Sequence, residues 1–137
     1  LARESGLNSG FMMAHVTAAA LVSEAKALSY PNSVDTIPTS ADREDHVSMG
    51  MIGARYLQEV VVHVGHILAI EGVVAAEGIR QRNLSAGRGV QAAVDRLGQD
   101  VPPLVHDRAL HLDFDASRAL VLSGELLAVA DEASDLD

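Results

Sequence analysis

Residues 60–76, VVVHVGHILAIEGVVAA, decide the fold because they are apolar nearly all round when placed on a helix. The interruptions in this apolar run are His63, Gly65, His66, Glu71 and Gly72. A helix without a polar face lies in the middle of a large bundle or in a membrane. We therefore expect other helices to pack on every side of this segment.

The helical pattern extends beyond this segment, from about His46 to Arg80, with only isolated glycines inside it. At ~1.5 Å per residue such a helix is about 50 Å long. A compact domain of 137 residues has a diameter of only roughly 37 Å. We therefore expect other subunits, or a further part of the same polypeptide, to cover the helix. A membrane span is disfavoured because the apolar run is shorter than ~20 residues and contains Glu71.

The flanking sequence predicts an all-α fold, a long-helix bundle that forms part of a larger oligomeric helical core. The other predicted helices are Ser9–Ser29 (capped by Asn8 or Ser9), Gly89–Leu97, one that begins near Asp115 (capped by Asp113 or Asp115) and a last turn at Glu125–Ala130. Residues 31–44 are a long loop that contains Pro31 and Pro38, and residues 131–137 an acidic, frayed tail. Residues 1–137 are thus predicted to form a single helical region.

Composition excludes some functions. The net charge is −9 and the basic residues are scattered, so nucleic acid and anionic membranes are not expected partners. The chain has no cysteine, which rules out a disulfide framework and a thiol nucleophile and favours a cytoplasmic protein. It begins at Leu1 without an initiator methionine, which indicates a processed, nicked or truncated polypeptide.

Three groups of polar residues could carry chemistry. Glu44, Asp45 and His46 join the long loop to the long helix, where a carboxylate and an imidazole suit either proton transfer or helix capping. A second group shares one helix face and suits either a partial metal shell or hydrogen-bonded histidines: Glu59, His63 and His66. Glu71, within the apolar run, is expected to be buried and either to pair with an arginine of another helix or to have a functional role.

Two stretches resemble the C-terminal region of the aromatic amino acid ammonia-lyases, most of all the histidine ammonia-lyases. The first is GLNSGFMMA at 6–14, continued by VTAAAL at 16–21. The second is SVDTIPTSA at 33–41, followed by EDHVSM at 44–49. LAIE at 68–71 adds a weaker match, and residues 81–137 match only loosely.

The resemblance implies a homotetramer with a central bundle of long helices, which eliminates ammonia from a small aromatic amino acid. It implies that Glu44 acts catalytically at the amino group or the aromatic ring of the substrate. Met12 and Val16 are implied to line the side-chain pocket, and Asp42 and Arg43 to be polar contacts in it. No metal is implied. The electrophile of such enzymes, 4-methylideneimidazole-5-one, forms from an internal Ala-Ser-Gly.

The chain departs from the family pattern in two ways. It contains no Ala-Ser-Gly, so the electrophile must come from a missing segment or a companion chain, such as the N-terminal catalytic part of the same enzyme. Asp42 and Arg43 stand where the family usually has Asn and Gln, which would suit a new salt bridge, an altered substrate or decay of the site. We expect a C-terminal fragment or subunit of a lyase, inactive alone. The alternative is a catalytically inactive homologue that serves oligomerisation or regulation.

Overall fold

The described part of the chain is helical and contains no strand. The computed structural model describes residues 1–2, 4, 6–32, 34, 37–44, 50–82 and 85–134. Their helices are α1 (Met12–Leu28), α2 (Gly50–Arg82), α3 (Arg88–Asp100), α4 (His111–Ser123) and α5 (Glu125–Ser134). The all-α prediction is confirmed.

The long helix α2 is the axis of the fold. Helix α1 packs along it in the opposite direction: its last residues meet Gly53, whereas Thr17 and Leu21 line a cavity with His66 and Ile70. Helix α4 packs on the second half of α2, where Ser117 donates a hydrogen bond of 3.0 Å to the Ala69 carbonyl. Helices α3 and α5 pack mainly against each other.

Only the C-terminal half of α2 is buried by this chain. The core contains Ala69, Ile70, Val73 and Ala76 from that half, together with Phe11, Ala14, Leu97, Val101, Leu104 and Leu120. In the N-terminal half, Met51 is 74%, Leu57 62% and Val61 58% exposed. By length and composition alone α2 could also cross a membrane, although the buried core helix of a larger protein passes the same test.

Several predicted helix ends are wrong. Helix α1 begins at Met12 with Phe11 at its N-cap, and neither Asn8 nor Ser9 caps it. Helix α4 begins at His111, four residues before Asp115, with Leu110 at the N-cap. The predicted last turn and the first part of the acidic tail together form α5, which runs to Ser134. The predicted start at His46 and residues 135–137 lie outside the described residues.

The backbone just before α1 is held by a residue that is distant in sequence. The carboxylate of Asp107, in the segment between α3 and α4, accepts hydrogen bonds from the backbone N–H groups of Ser9 (2.7 Å) and Gly10 (2.9 Å). Asn8 Oδ1 in turn accepts from the Asp107 N–H at 3.4 Å. Buried Glu77 holds the same segment, since its Oε2 accepts from the Leu104 N–H at 3.2 Å.

Helices α3 and α5 are joined by an ion pair and by a close backbone approach. Arg96 Nε donates to Glu125 Oε1 at 2.5 Å, and Nη1 donates to Asp100 Oδ2 at 2.6 Å. These hydrogen bonds, first to Glu125 and then to Asp100, raise the pKa of Arg96 above its ordinary value. Gly89 lies so near α5 that an added Cβ would stand 2.7 Å from the Ala130 carbonyl oxygen.

We expect Gly89→Ala to lower the melting temperature, because the new methyl group pushes α5 away from α3. Overpacking of this kind costs roughly 1–3 kcal/mol, which corresponds to a few degrees or more in a chain of this size. Gly78→Ala on α2 is the control, because the nearest neighbouring atom to an added Cβ there is Leu1 Cδ1 at 3.7 Å, an ordinary van der Waals contact. Thermal unfolding followed by circular dichroism measures both. Equal melting temperatures for the two variants would contradict the close approach.

Candidate functional site

The candidate site is the loop 39–44, which leads toward α2. Thr39 and Glu44 form an isolated antiparallel bridge: the Thr39 N–H donates to the Glu44 carbonyl at 2.8 Å, and the Glu44 N–H to the Thr39 carbonyl at 3.3 Å. Between them Ser40, Ala41 and Asp42 have φ values of +54°, +56° and +64°. A left-handed turn built from three non-glycine residues is rare because each Cβ crowds the backbone.

The backbone bridge fixes the position of the Glu44 Cα, and the hydroxyl of Thr39 fixes the carboxylate of the Glu44 side chain. Thr39 Oγ1 donates a hydrogen bond of 2.9 Å to Glu44 Oε2, and Glu44 is exposed. One carboxylate oxygen is therefore held by the loop, while Oε1 has no partner among the described residues. Such a carboxylate can accept a proton or bind a cationic amine.

Asp42 and Arg43 are both exposed on the same loop. The backbone N–H of Arg43 donates to the Ser40 carbonyl at 3.3 Å. Within the described residues their side chains form no ion pair with each other, so the structure does not show the salt bridge, which was one of the three alternatives. Asp45 and His46, the other members of the predicted acidic and imidazole group, lie outside the described residues.

The predicted pocket residues of α1 are exposed but lie at the other end of the long helix. Met12 is 59% and Val16 51% exposed. The following residue, Thr17, is level with Ile70 of α2, about 30 Å along the helix from Gly50 at ~1.5 Å per residue. The joint pocket of Met12, Val16 and Glu44 therefore stays a prediction.

The metal alternative for Glu59, His63 and His66 is not supported. No group of three or more metal-binding side chains comes together in the part of the chain that the structure describes. His63 instead faces α1, where its Nε2 lies 3.7 Å from Glu24 Oε2. Its Nδ1 is buried without a hydrogen-bond partner.

The buried carboxylate of α2 is Glu77, and the expectation that Glu71 is buried and paired is wrong for this chain. Glu71 is exposed, whereas Glu77 is 1% exposed. Besides Leu104, the Glu77 carboxylate accepts a hydrogen bond from Gln81 Nε2 at 3.1 Å and lies 3.8 Å from Arg80 Nη1. Helical spacing could have identified Glu77, because it follows Ile70 and Val73 by seven and four positions.

The family of the chain follows from comparison with known proteins. The family model for aromatic amino acid lyases matches residues 1–99. The chain therefore belongs to the aromatic amino acid lyase family.

Within that family the chain is similar to histidine ammonia-lyases. It is 53% identical over 133 residues to the enzyme of Deinococcus radiodurans, covering 97% of this chain and 25% of the relative. It is 52% identical over 134 residues to the enzyme of Sorangium cellulosum, covering 97% of this chain and 26% of the relative. The chain thus spans about a quarter of the length of the curated relatives it matches.

Solved structures show the same fold. Histidine ammonia-lyase from Trypanosoma cruzi superposes with a TM-score of 0.89 at 41% identity, over 96% of this chain and 26% of that chain. Tyrosine aminomutase from Streptomyces globisporus superposes with a TM-score of 0.88 at 30% identity, over 98% of this chain and 26% of that chain. The long-helix fold predicted from the sequence is therefore confirmed.

Proposed function

We propose that this chain forms the C-terminal part of the substrate pocket in a histidine ammonia-lyase-like enzyme, which eliminates ammonia from an aromatic amino acid in the cytoplasm. The observation that carries the proposal is the exposed Glu44 carboxylate, held by Thr39 on the loop 39–44. The sequence identity of about 50% between this chain and histidine ammonia-lyases supports the same reaction class.

In this proposal the electrophile is supplied by a segment that lies outside this chain. The chain has no Ala-Ser-Gly, so its own residues cannot form 4-methylideneimidazole-5-one but can contribute groups around it. When present, that group supplies the electron-accepting centre of the elimination. The part left to this chain is to hold the substrate: the Glu44 carboxylate lies at its amino group or its aromatic ring, and Met12 and Val16 line the side-chain pocket.

The complete pocket is composed of more than one chain or copy in this proposal. Support comes from Met12 and Val16, whose side chains are exposed on α1 and not enclosed by this chain. A further support is the exposed apolar surface in the first half of α2. Partners are therefore the N-terminal catalytic part of the enzyme and further copies, in a tetramer-like assembly.

The test is reconstitution. The chain is co-expressed with the N-terminal three quarters of the Deinococcus radiodurans relative, and ammonia release from histidine is measured in the purified complex. We expect turnover from the complex and none from either part alone. The control complex carries Ser→Ala in the Ala-Ser-Gly of the N-terminal part and should be inactive.

The reconstitution also separates the proposal from its alternative, an inactive homologue that serves oligomerisation or regulation. Arg43 and Asp42 favour that alternative, because they place on the candidate loop a cation and an anion that form no ion pair with any described residue. A complex that forms but has no activity, even after Arg43→Gln and Asp42→Asn, would establish the inactive homologue and contradict the lyase proposal.

A further inference from the structure

A cavity of about 290 Å³ lies between the helices α1, α2 and α4. Its apolar wall is formed by Leu21 of α1, Ile70 of α2 and Phe114 of α4. Ile70 is 5% exposed and Phe114 packs against the core, so the folded interior holds this wall in place. Pockets for drug-sized molecules begin at roughly 300 Å³. The cavity therefore suits a smaller molecule built around one ring.

Polar side chains line the rim of the same cavity. Three of them form no hydrogen bond or ion pair within the described residues: His66, His111 and Asp115. The fourth, Thr17, donates its hydroxyl to the Met13 carbonyl at 2.8 Å. An apolar wall that is bordered by a few polar groups with free hydrogen-bonding capacity is typical of a small-molecule site.

The charges around the cavity favour a cationic ligand. Asp115 supplies a carboxylate, and among the described residues no lysine or arginine lines the cavity. The arginine of α4, Arg118, lies against α2, where an added Cβ on Gly65 would stand 3.4 Å from its Nε. The net charge of −9 adds a general attraction for cations. An ammonium group forms strong, charge-assisted hydrogen bonds with a carboxylate.

We propose that this cavity binds a small aromatic amine, with the ring against the apolar wall and the ammonium group at Asp115. The two histidines at the rim then border the ring and can donate or accept hydrogen bonds. A carboxylate on the ligand would meet the like charge of Asp115, so the site selects amines over acids. Met12, Val16 and Glu44 do not line this cavity, so the proposal is independent of the proposed lyase function.

Calorimetric titration of the chain tests the ligand class with three probes of similar shape: phenethylamine, phenethyl alcohol and phenylpropionate. We expect saturable binding of phenethylamine at millimolar concentrations, at least tenfold weaker binding of the alcohol, and no binding of the acid. Equal dissociation constants for the amine and the alcohol would overturn the ammonium contact. Tighter binding of the acid, or no binding of any probe, would also overturn the proposal.

Asp115→Asn tests the position of the ammonium group, and we expect it to raise the dissociation constant of phenethylamine at least tenfold. The substitution leaves the fold intact because the Asp115 side chain is exposed and makes no bond within the described residues. Asp131→Asn, at an exposed position of α5, is the matched control and should leave the constant within twofold. Glu44→Gln should also leave it within twofold. Loss of binding in Glu44→Gln but not in Asp115→Asn would place the amine on the loop 39–44 and overturn the proposal.

A second measurement locates the ring without any substitution. In nuclear Overhauser spectra of the complex we expect contacts between the ring protons of phenethylamine and the methyl groups of Leu21 and Ile70. Contacts only with methyl groups elsewhere in the chain would overturn the proposal. Either result leaves the lyase proposal to the reconstitution experiment.

Discussion

Glu44→Gln is expected to lower kcat of the reconstituted complex by about a hundredfold, because proton transfer by a positioned side chain contributes roughly 10²–10⁴-fold. The amide keeps the shape of the side chain and can still meet the Thr39 hydroxyl. It loses the negative charge that would hold an ammonium group or take a proton. Ammonia release from histidine under saturating substrate measures the change.

Thr39→Val separates the position of the carboxylate from its chemistry. The variant removes the Oγ1 donor, which lies 2.9 Å from Glu44 Oε2, and leaves both backbone hydrogen bonds of the bridge intact. We expect a loss of about tenfold, smaller than that of Glu44→Gln. Glu132→Gln, at an exposed position on α5, is the control and should retain full activity. Activity of Glu44→Gln within threefold of the parent would remove Glu44 from the reacting groups.

Glu77→Ala is expected to destabilise the chain by about 3 kcal/mol. Truncation of a buried charged partner leaves its donors unpaired, at roughly 1–3 kcal/mol for a buried N–H and about 3–5 kcal/mol for a buried ion pair. Leu104, whose N–H donates to Glu77, is itself 6% exposed, so water cannot replace the lost carboxylate. The segment between α3 and α4 should loosen first.

Urea unfolding measures this loss, and hydrogen exchange at Leu104 locates it. Glu77→Gln keeps an acceptor for the Leu104 N–H and should cost less than Glu77→Ala. Glu59→Ala, at an exposed position of the same helix, is the control and should change the stability by less than ~0.5 kcal/mol. An equal effect of Glu59→Ala and Glu77→Ala would contradict the structural role of the buried carboxylate.

The sequence predicted the features that arise from local patterns. The apolar run 60–76 predicted a long helix that one chain cannot cover, and α2 is indeed exposed at Met51, Leu57 and Val61. Tyr30 and Pro31 predicted the end of α1, which stops at Leu28. In both cases the determining interactions lie within a few residues of each other, so periodicity and proline geometry are sufficient.

Features that depend on distant partners were not predicted. Asp107 accepts a hydrogen bond from the backbone before α1, although it lies nearly a hundred residues away in the sequence. No residue near Ser9 indicates this contact. Glu71 and Glu77 have similar neighbours in the sequence. Only their helical spacing from Val73 distinguishes the exposed Glu71 from the buried Glu77. The residue types of the loop 39–44 indicate a candidate site. They do not predict its left-handed turn, because none of Ser40, Ala41 and Asp42 is a glycine.

The left-handed turn at Ser40, Ala41 and Asp42 has a free-energy cost, which falls on the candidate site. A left-handed conformation costs about 1–2 kcal/mol for each residue with a Cβ, and the two backbone hydrogen bonds of the bridge return about 1 kcal/mol each. The hydrogen bonds from the Arg43 N–H to the Ser40 carbonyl and from the Thr39 hydroxyl to Glu44 add to this, so the loop's own hydrogen bonds offset much of the cost. The substitution Ala41→Gly would relax the backbone, but it would also fix the direction of the Glu44 side chain less well. The stability of this loop and the precise placement of Glu44 therefore favour different residues at position 41.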